Sequence, residues 1–291
     1  MTTRTTSSAP EVRRAPKPEN GEIKSAKTTA PALPPDSAPA SDSLRARAPT
    51  QSSAASCKVK PDGVEWVYVS GECRNGYVHG VGVARSRDGK RHYEGDFVDG
   101  AFEGRGTYDW GDGTRYVGEF RASRKNGNGE ITYASGNRYA GEFRDNTYQG
   151  SGKYQDVAGE TYAGEFAGGK YNGQGTYTWP NGDVYTGEFK NGKMHGRGVY
   201  TKGNGDRYEG DFENDQMRGI GTYHHANGDV YTGEFKDGKM SGQGIYRYAD
   251  GTVYTGEFAR NKKHGRGKLT SDAGDVEQRW IYGVKVSGES R

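Results

Sequence analysis

The sequence is short of apolar side chains: only 31% of its 291 residues are hydrophobic. No stretch approaches the roughly 20 consecutive apolar residues that a membrane-spanning helix needs, and the N-terminus lacks the apolar segment of a secretory signal. These shortages argue against a membrane-spanning protein and against a thick aliphatic core. We therefore expect a cytoplasmic protein, with peripheral attachment to a membrane, an envelope location and a secreted location kept as alternatives.

Aromatic residues are absent from residues 1–60, which hold eight of the ten prolines and are rich in Ala, Ser and Thr. Such a segment cannot bury enough apolar surface to offset the entropy of ordering its backbone, which predicts a disordered tail. Its ten basic and five acidic residues give the tail a charge of +5, whereas the 31 basic and 33 acidic residues of 61–291 give −2. We therefore expect no general attraction of the folded part to nucleic acid.

Cysteine is nearly absent, with only Cys57 and Cys73 in the chain. Cys73 takes the position at which the regular repeats described below have phenylalanine, which suits a small buried hydrophobe. Cys57 precedes the first repeat closely enough that a disulfide to Cys73 could clamp it. The sequence leaves both interpretations open.

Glycine and tyrosine are abundant, at 48 and 21 residues, and they recur with a period of 23 residues. A Tyr-x-Gly-(Glu/Asp)-Phe motif occurs eight times, from Tyr93 to Tyr254, and a Gly-x-Gly motif begins eleven residues after each tyrosine. A fixed period of this length predicts an array of small units, each in contact mainly with its neighbours. The predicted array domain covers 61–291, with a degenerate first repeat at about 69–92, eight full repeats over 93–276 and a partial repeat over 277–291.

The repeat over 183–205 shows what each unit builds. Segment 184–189 alternates and is rich in strand formers, Asn191-Gly192 is a strong two-residue turn signal, and a second strand follows from Gly196. The chain is thus predicted to be all-β, an elongated single-layer array of antiparallel β-hairpins. Alternation places the aromatic residues and glycines on one face and the carboxylates on the other. Because glycine otherwise weakens a strand, we infer that the glycines leave slots in which neighbouring rings lie flat.

Residues that could carry chemistry are present, but not in the patterns that catalysis or metal binding needs. The Gly-x-Gly motif lacks the third glycine and the following helix of a dinucleotide-binding loop. The carboxylates would lie roughly 10 Å apart, which is wide for a glycosidase pair and more typical of a solvated polar face. His224 and His225 would point to opposite faces of a strand, so they do not indicate a metal site. We predict a protein that is not an enzyme and uses no cofactor or metal.

These residues resemble the MORN family, named for membrane occupation and recognition nexus. The similarity covers about residues 69–285, through eight copies of Tyr-x-Gly-(Glu/Asp)-Phe in register with Gly-x-Gly. The resemblance implies a single-layer array of β-hairpins with roles in scaffolding, protein–protein contact, homodimerisation or attachment to membranes. The first unit, with its Val-Ser-Gly-Glu-Cys segment, also resembles repeats of some bacterial envelope proteins.

The sequence contains no helical pattern that could cover the aromatic face, which is therefore expected to stay open as a long groove. Large exposed apolar surfaces usually mark interaction sites, so we interpret the protein as a scaffold that binds a partner protein, or a second copy of itself, along this face. The alternative is that the rings lie flat over the glycines and cover themselves. The candidate partner-binding residues are Tyr162, Tyr185, Tyr208, Tyr231, Tyr254, Tyr177, Tyr200, Tyr223 and Tyr246.

A second hypothesis is peripheral attachment to anionic phospholipid through basic residues at hairpin tips. The charge of −2 over the array predicts at most a weak general attraction to such a surface. A third hypothesis is a module that regulates a separate enzyme. The candidate lipid-binding residues are Lys170, Lys193, Lys239, Lys262, Lys263 and Arg266.

Overall fold

Every regular element that the structure describes is a β-strand. The computed structural model describes residues 57–60 and 63–286. The predicted disordered tail lies outside the described residues, apart from 57–60, which lie against the first hairpins. The strands are β1 Trp66–Arg74, β2 Tyr77–Ser86, β3 His92–Val98, β4 Ala101–Asp109, β5 Arg115–Arg121, β6 Arg124–Thr132, β7 Arg138–Arg144, β8 Thr147–Gln155, β9 Thr161–Ala167, β10 Lys170–Thr178, β11 Val184–Lys190, β12 Lys193–Thr201, β13 Arg207–Glu213, β14 Gln216–His224, β15 Val230–Lys236, β16 Lys239–Arg247, β17 Val253–Ala259, β18 Lys262–Ser271, β19 Gly274–Ile281 and β20 Val284–Val286.

The strands form one open sheet in which each strand pairs antiparallel with the next along the chain. Tyr185 is paired with Tyr200 inside one hairpin, and Tyr200 is paired with Tyr208 of the next, so equivalent tyrosines line up across the sheet. Among the described residues, β1 and β20 do not pair with each other. The prediction of an all-β array of antiparallel hairpins is confirmed.

Two kinds of turn alternate along the chain and define the two edges of the sheet. The tip edge consists of the two-residue turns inside repeats, each with the strand residue on either side. Asn191 and Gly192 form one of these turns at φ of 52° and 85°, as the sequence predicts. The turn edge consists of the five-residue turns between repeats, such as 202–206. Neighbouring tips are bonded, since the N–H of Gly192 donates to the C=O of Tyr171 at 2.8 Å.

The Gly-x-Gly motif forms a β-bulge in the return strand of each repeat. The pairing of β11 with β12 slips between Gly187 and Glu188, and Gly196 has a φ of 56°, which favours glycine. A Cβ on Gly196 would lie 2.3 Å from the Glu188 carboxylate, whose Oε1 accepts the N–H of Arg197 at 3.4 Å. The predicted polar face therefore also supports the bulges. Equivalent bonds of 2.9 to 3.4 Å are made by Asp96, Glu119, Glu142, Glu165, Glu188, Glu234 and Glu257.

The other glycines of the repeat make room for the tyrosine ring. Tyr185 lies over Gly187 and Gly198, and a Cβ on Gly198 would lie 2.5 Å from the ring. The hydroxyl of Tyr185 donates to the backbone C=O of Glu188 at 2.9 Å. The rings therefore lie flat in slots left by glycine, as inferred from the sequence.

The rings also cover one another and leave no open aromatic groove. Tyr185 meets Phe189 of its own repeat and Phe212 of the next edge-on, at ring-centre distances of 5.1 and 4.9 Å. A second layer lies over the tyrosines, because Tyr148 stacks on Tyr139 at 3.7 Å. The prediction that nine tyrosines line an open groove is wrong, since each is at most 8% exposed: Tyr162, Tyr185, Tyr208, Tyr231, Tyr254, Tyr177, Tyr200, Tyr223 and Tyr246.

The two ends of the sheet are built differently. At the N-terminal end, Cys57 and Cys73 form a disulfide with Cα atoms 5.7 Å apart, and Cys73 is exposed rather than a buried hydrophobe. Trp66 packs edge-on against Phe102 at 5.2 Å. At the C-terminal end, β20 is only three residues long and pairs with β19. The first hairpin is thus covalently clamped, whereas the last ends in a short strand.

Candidate functional site

With the aromatic face buried in the core, the opposite face of the sheet is available for recognition. This outer face carries an exposed side chain at the middle position of every Gly-x-Gly motif. Large apolar side chains are exposed on it, and Val81 and Ile220 are among the most exposed, at 71% and 61%. Val117 and Ile245 are also exposed on this face. Each is adjacent in sequence to a core tyrosine and therefore points to the opposite side of the sheet. The middle residues are Val81, Arg105, Asn128, Ser151, Gln174, Arg197, Ile220, Gln243 and Arg266.

A shallow depression lies on the outer face where β4, β5 and β6 meet. Its volume is about 450 Å³, and Arg105, Val117 and Asn128 are among its lining residues together with the backbone of Gly106 and Gly118. The depression mixes an apolar wall with a cation, a carboxylate and an amide.

The tip edge is strongly basic from the second to the eighth full repeat. Seven tips, from 121–124 to 259–262, contain ten basic and four acidic residues, a net charge of +6. Nine of the ten cations are exposed, and Lys193 is half-buried. The cations are Arg121, Arg124, Arg144, Lys170, Lys190, Lys193, Lys236, Lys239, Arg260 and Lys262.

The turn edge has the opposite charge. Its seven turns between β4 and β17, from 110–114 to 248–252, contain seven acidic residues and one lysine, a net charge of −6. With the flanking strand residues also counted, as they are in the tips, the turn edge has a net charge of −3, so the charges of the two edges partly cancel. The acidic residues are Asp112, Asp156, Glu160, Asp183, Asp206, Asp229 and Asp250.

Three of the turn-edge carboxylates are used to hold the array together. Asp183 accepts a hydrogen bond from the hydroxyl of Tyr200 at 2.6 Å and another from the N–H of Gly203 at 2.9 Å. Asp206 repeats the arrangement with the Tyr223 hydroxyl and the Ala226 N–H, both at 2.9 Å. Asp229 does so with Tyr246 and Ala249, at 2.8 and 2.9 Å. Each carboxylate thus joins its own turn to the next one.

The ionisation of Asp206 reflects this bonding. Burial tends to raise the pKa of Asp206, but hydrogen bonds from the Ala226 N–H and the Tyr223 hydroxyl outweigh burial and hold that pKa below its ordinary value. Pro180, at the position of Ala226 in an earlier repeat, has no N–H to donate. Glu160 takes the place of the aspartate there and accepts the Tyr177 hydroxyl at 2.7 Å. These acidic groups therefore have structural tasks.

The tip-edge cations have almost no such partners. Among the described residues, Arg124 is the tip-edge cation that forms an ion pair, with Asp145 at 3.3 Å. The two cations of a tip can also face each other, because Lys190 is paired directly with Lys193 across the turn. The positive charge of this edge is left to solvent or to another molecule.

Four of the six predicted lipid-binding residues lie on the tip edge, and two do not. Lys170, Lys193, Lys239 and Lys262 are tip residues. Arg266 lies on the outer face, at the middle position of its Gly-x-Gly motif. Lys263 points into the aromatic layer, so its placement at a hairpin tip was wrong.

Lys263 is a cation within the aromatic core. Its Nζ lies 4.3 Å from the ring centre of Tyr254, 4.8 Å from that of Trp280 and 5.2 Å from that of Tyr248. Burial, with a smaller contribution from repulsion by Lys285, lowers the pKa of Lys263 to about 8. The sequence analysis missed this burial of Lys263. The 23-residue period would have indicated it, because the same position one repeat earlier holds the apolar Met240.

The architecture defines a class of repeat protein, in which identical β-hairpins stack into an open sheet with an aromatic core. The family model described as MORN repeat matches eight consecutive segments, and the chain belongs to this family. The matched segments are 93–115, 116–138, 139–161, 162–184, 185–207, 208–230, 231–253 and 254–276.

Other comparisons add little. A search of curated proteins finds no match. Among solved structures, the chain is 16% identical to the TCP10 domain of Danio rerio CPAP, which covers 68% of this chain and 89% of that one with a TM-score of 0.36. The TCP10c domain of Drosophila melanogaster Sas-4 is also 16% identical and covers 52% and 91%, with a TM-score of 0.32. Virginiamycin B lyase from Staphylococcus aureus is 8% identical and covers 77% and 84%, with a TM-score of 0.18. These scores are too low to carry an argument about fold or function.

Within residues 57–60 and 63–286, no group of three or more His, Cys, Asp and Glu side chains is placed to hold a metal ion. The same residues include no helix with the length and apolar character of a membrane span.

Proposed function

We propose that this MORN-repeat chain is a non-enzymatic interaction module that binds a partner protein along its outer face. The observation that carries the proposal is the difference between the two faces of the sheet, one buried in the core and the other exposed. The tyrosines and phenylalanines are used in the core, whereas the outer face presents exposed side chains in every repeat, among them the middle residue of Gly-x-Gly. This replaces the predicted aromatic groove with a different surface of the same sheet.

The distribution of apolar side chains supports two contact regions on the outer face. Val81 and Val117 lie towards the N-terminal end, where Val117 lines the depression, and Ile220 and Ile245 lie towards the C-terminal end. Between them the middle residues of the motifs are polar, as at Gln174. Exposed apolar side chains rimmed by polar ones are typical of protein interaction sites.

Site-specific photo-crosslinking in extracts of the native cell tests the proposal. A photoreactive phenylalanine analogue placed at Val117 or Ile220 should give a discrete adduct of higher mass, and the same analogue at Ala158 on the turn edge should not. With the analogue at position 220, the variant Ile245→Asp should reduce the adduct, with Gln174→Asp as the matched control. Equal labelling at Ala158, or no adduct at either outer-face position, would overturn the proposal.

The disulfide supports a proposal about location as well. Disulfides persist mainly in oxidising compartments, so the Cys57–Cys73 bridge favours an envelope or secreted location over the expected cytoplasm. Alkylation of protein isolated from its native cell, before and after reduction, decides between them. Two thiols that are alkylated without reduction would restore the cytoplasmic interpretation.

A further inference from the structure

We propose that the tip edge binds an extended, acidic segment of a partner polypeptide. The inference rests on the proposed function and deepens it by naming the partner's chemistry and a second surface. It is carried by charges that the fold places side by side and, Arg124 apart, leaves without an ion-pair partner among the described residues.

The first argument is the arrangement of cations inside single tips. Lys190 is paired directly with Lys193, and Lys236 with Lys239. Arg121 and Arg124 form a third pair of this kind. Like charges directly opposite each other on paired strands destabilise a sheet. The tips of Lys190/Lys193 and Lys236/Lys239 thus carry an unfavourable arrangement that an external anion would relieve, whereas Arg124 is already paired with Asp145.

The second argument is the spacing of the tips. Neighbouring tips are joined by backbone bonds, such as those from the Asp215 N–H to the Met194 C=O at 3.0 Å and from the Gly238 N–H to the Met217 C=O at 3.1 Å. Successive tips are two strands apart, roughly 10 Å. An extended chain covers this distance with about three residues. A segment with an acidic residue at about every third position would meet one tip after another.

The third argument is the shape of the edge. Neighbouring strands in a sheet are rotated by roughly 20 to 25°, so the direction of successive tips changes by about twice that angle. A flat bilayer can then meet only a few of the seven tips at once. A flexible polypeptide can follow the edge as it winds, and this favours an acidic segment over an anionic membrane.

One acidic tip interrupts the basic series and indicates how charge should be distributed along the partner segment. The sixth full repeat has Glu213 and Asp215 in its tip, where its neighbours have lysines. Asp215 is committed to the fold, since it accepts the N–H of Met194 at 2.9 Å. The edge therefore has a basic block from Arg121 to Lys193 and a second from Lys236 to Lys262. A partner with two acidic clusters and a neutral spacer would match it.

The test uses the full chain and fluorescein-labelled poly-L-glutamate, with binding followed by fluorescence anisotropy at low and high salt. The quadruple variant Lys190→Gln/Lys193→Gln/Lys236→Gln/Lys239→Gln should bind at least about tenfold more weakly, because it removes four cations that would each pair with a ligand carboxylate. The matched control, Arg105→Gln/Arg197→Gln/Arg247→Gln/Arg266→Gln, removes the same charge away from the tips and should bind nearly as the parent does.

Unfolding provides a second readout that does not depend on the ligand. The tip variant should unfold at a slightly higher temperature than the parent because its like-charge pairs are gone, and poly-L-glutamate should raise the midpoint of the parent more than that of the variant. Absence of binding, or equal weakening in the control, would overturn the proposal. So would tighter binding to phosphatidylserine vesicles than to poly-L-glutamate, which would assign the edge to a membrane. A failure here leaves the outer-face adducts unchanged, so the two proposals can fail separately.

Discussion

At the N-terminal end of the sheet, the segment 57–60 lies against the first hairpins: the N–H of Lys58 donates to Gly76 and that of Lys60 to Gly100, both at 2.8 Å. The Cys57–Cys73 disulfide fixes this segment. At the C-terminal end the pairing changes, because Leu269 rather than a tyrosine lies opposite Tyr254. Among the described residues, the buried hydroxyl of Tyr254 has no hydrogen-bond partner.

The difference shows where an array of this kind is weakest. Each repeat contacts mainly its neighbours, so unfolding can begin at an end and proceed inward. The N-terminal end has a covalent clamp, whereas the C-terminal end has an unbonded hydroxyl and a three-residue last strand. Its aromatic layer also contains a cation, as the second full repeat does at Lys125. We infer that the array frays from its C-terminal end.

Removing the disulfide should have the largest effect on this comparison. The bridge joins residues 16 positions apart, and closing a loop of this size stabilises a fold by about 3 kcal/mol. Reduction, or the variant Cys57→Ser/Cys73→Ser, should speed amide hydrogen exchange in β1 to β3 and leave β10 to β15 unchanged. The double serine variant should itself be insensitive to reductant. Unchanged exchange in β1 to β3 would show that the clamp does not stabilise this end.

A methyl group in the ring slot should compare the middle of the array with its end. Gly198→Ala would place a Cβ 2.5 Å from the Tyr185 ring, and Gly267→Ala would crowd Tyr254 in the same way. Overpacking of this kind costs about 1 to 3 kcal/mol. In the middle it should weaken repeats on both sides and lower the main unfolding transition. At the end it should speed exchange only in β17 to β20, and identical exchange patterns in the two variants would refute the neighbour-only picture.

A smaller matched pair removes single hydroxyl groups. Tyr185→Phe deletes the donor to the Glu188 C=O and should destabilise the array by about 1 kcal/mol. Tyr254→Phe deletes a buried hydroxyl without a partner in the described part of the chain, so it should be neutral or slightly stabilising. Urea unfolding of the two variants beside the parent measures the difference. A loss at Tyr254 as large as that at Tyr185 would mean that its hydroxyl is bonded in solution.

Much of this fold follows from the period of the sequence. Asn191-Gly192 predicts its turn, and the alternation around Tyr185 predicts which residues share a face. The burial of the aromatic face was harder to predict from the sequence, because the residue that forms the second layer changes type along the chain. It is Tyr148 in one repeat and Lys263 in another. Only ring-on-ring geometry shows that these different side chains occupy one continuous layer.

The candidate surfaces were only partly accessible from sequence. Lys193 and Lys239 were recognised as tip residues, but the tip edge as a basic series was hidden by a net charge of −2. Hairpin topology sends residues about half a repeat apart to opposite edges, so Lys193 and Asp206 contribute to different surfaces. Counting charge separately for the two kinds of turn would have found the separation. The bonding of Asp206, by contrast, needed coordinates.

The smallest and most specific effect concerns Lys263 and its dependence on pH. Burial lowers the pKa of Lys263 from 10.5 to about 8 in the folded protein, so the folded state binds fewer protons than the unfolded state between these values. Stability contributed by this group therefore rises as pH increases from about 8 to above 10, and the burial penalty is fully present below pH 8. Lys263→Met restores the residue type of Met240 and should stabilise the array at pH 7 by up to about 1 kcal/mol, because cation–π contacts and solvent offset part of the penalty.

The advantage should shrink between pH 8 and 10, below the pKa of Tyr254, which burial raises to about 12. Chemical unfolding of both proteins across this range measures it, with Met240→Leu as a control for repacking. A variant that is less stable at pH 7, or an advantage that grows with pH, would show that the cation stabilises the C-terminal end and that its weakness lies in Tyr254 and β20 alone.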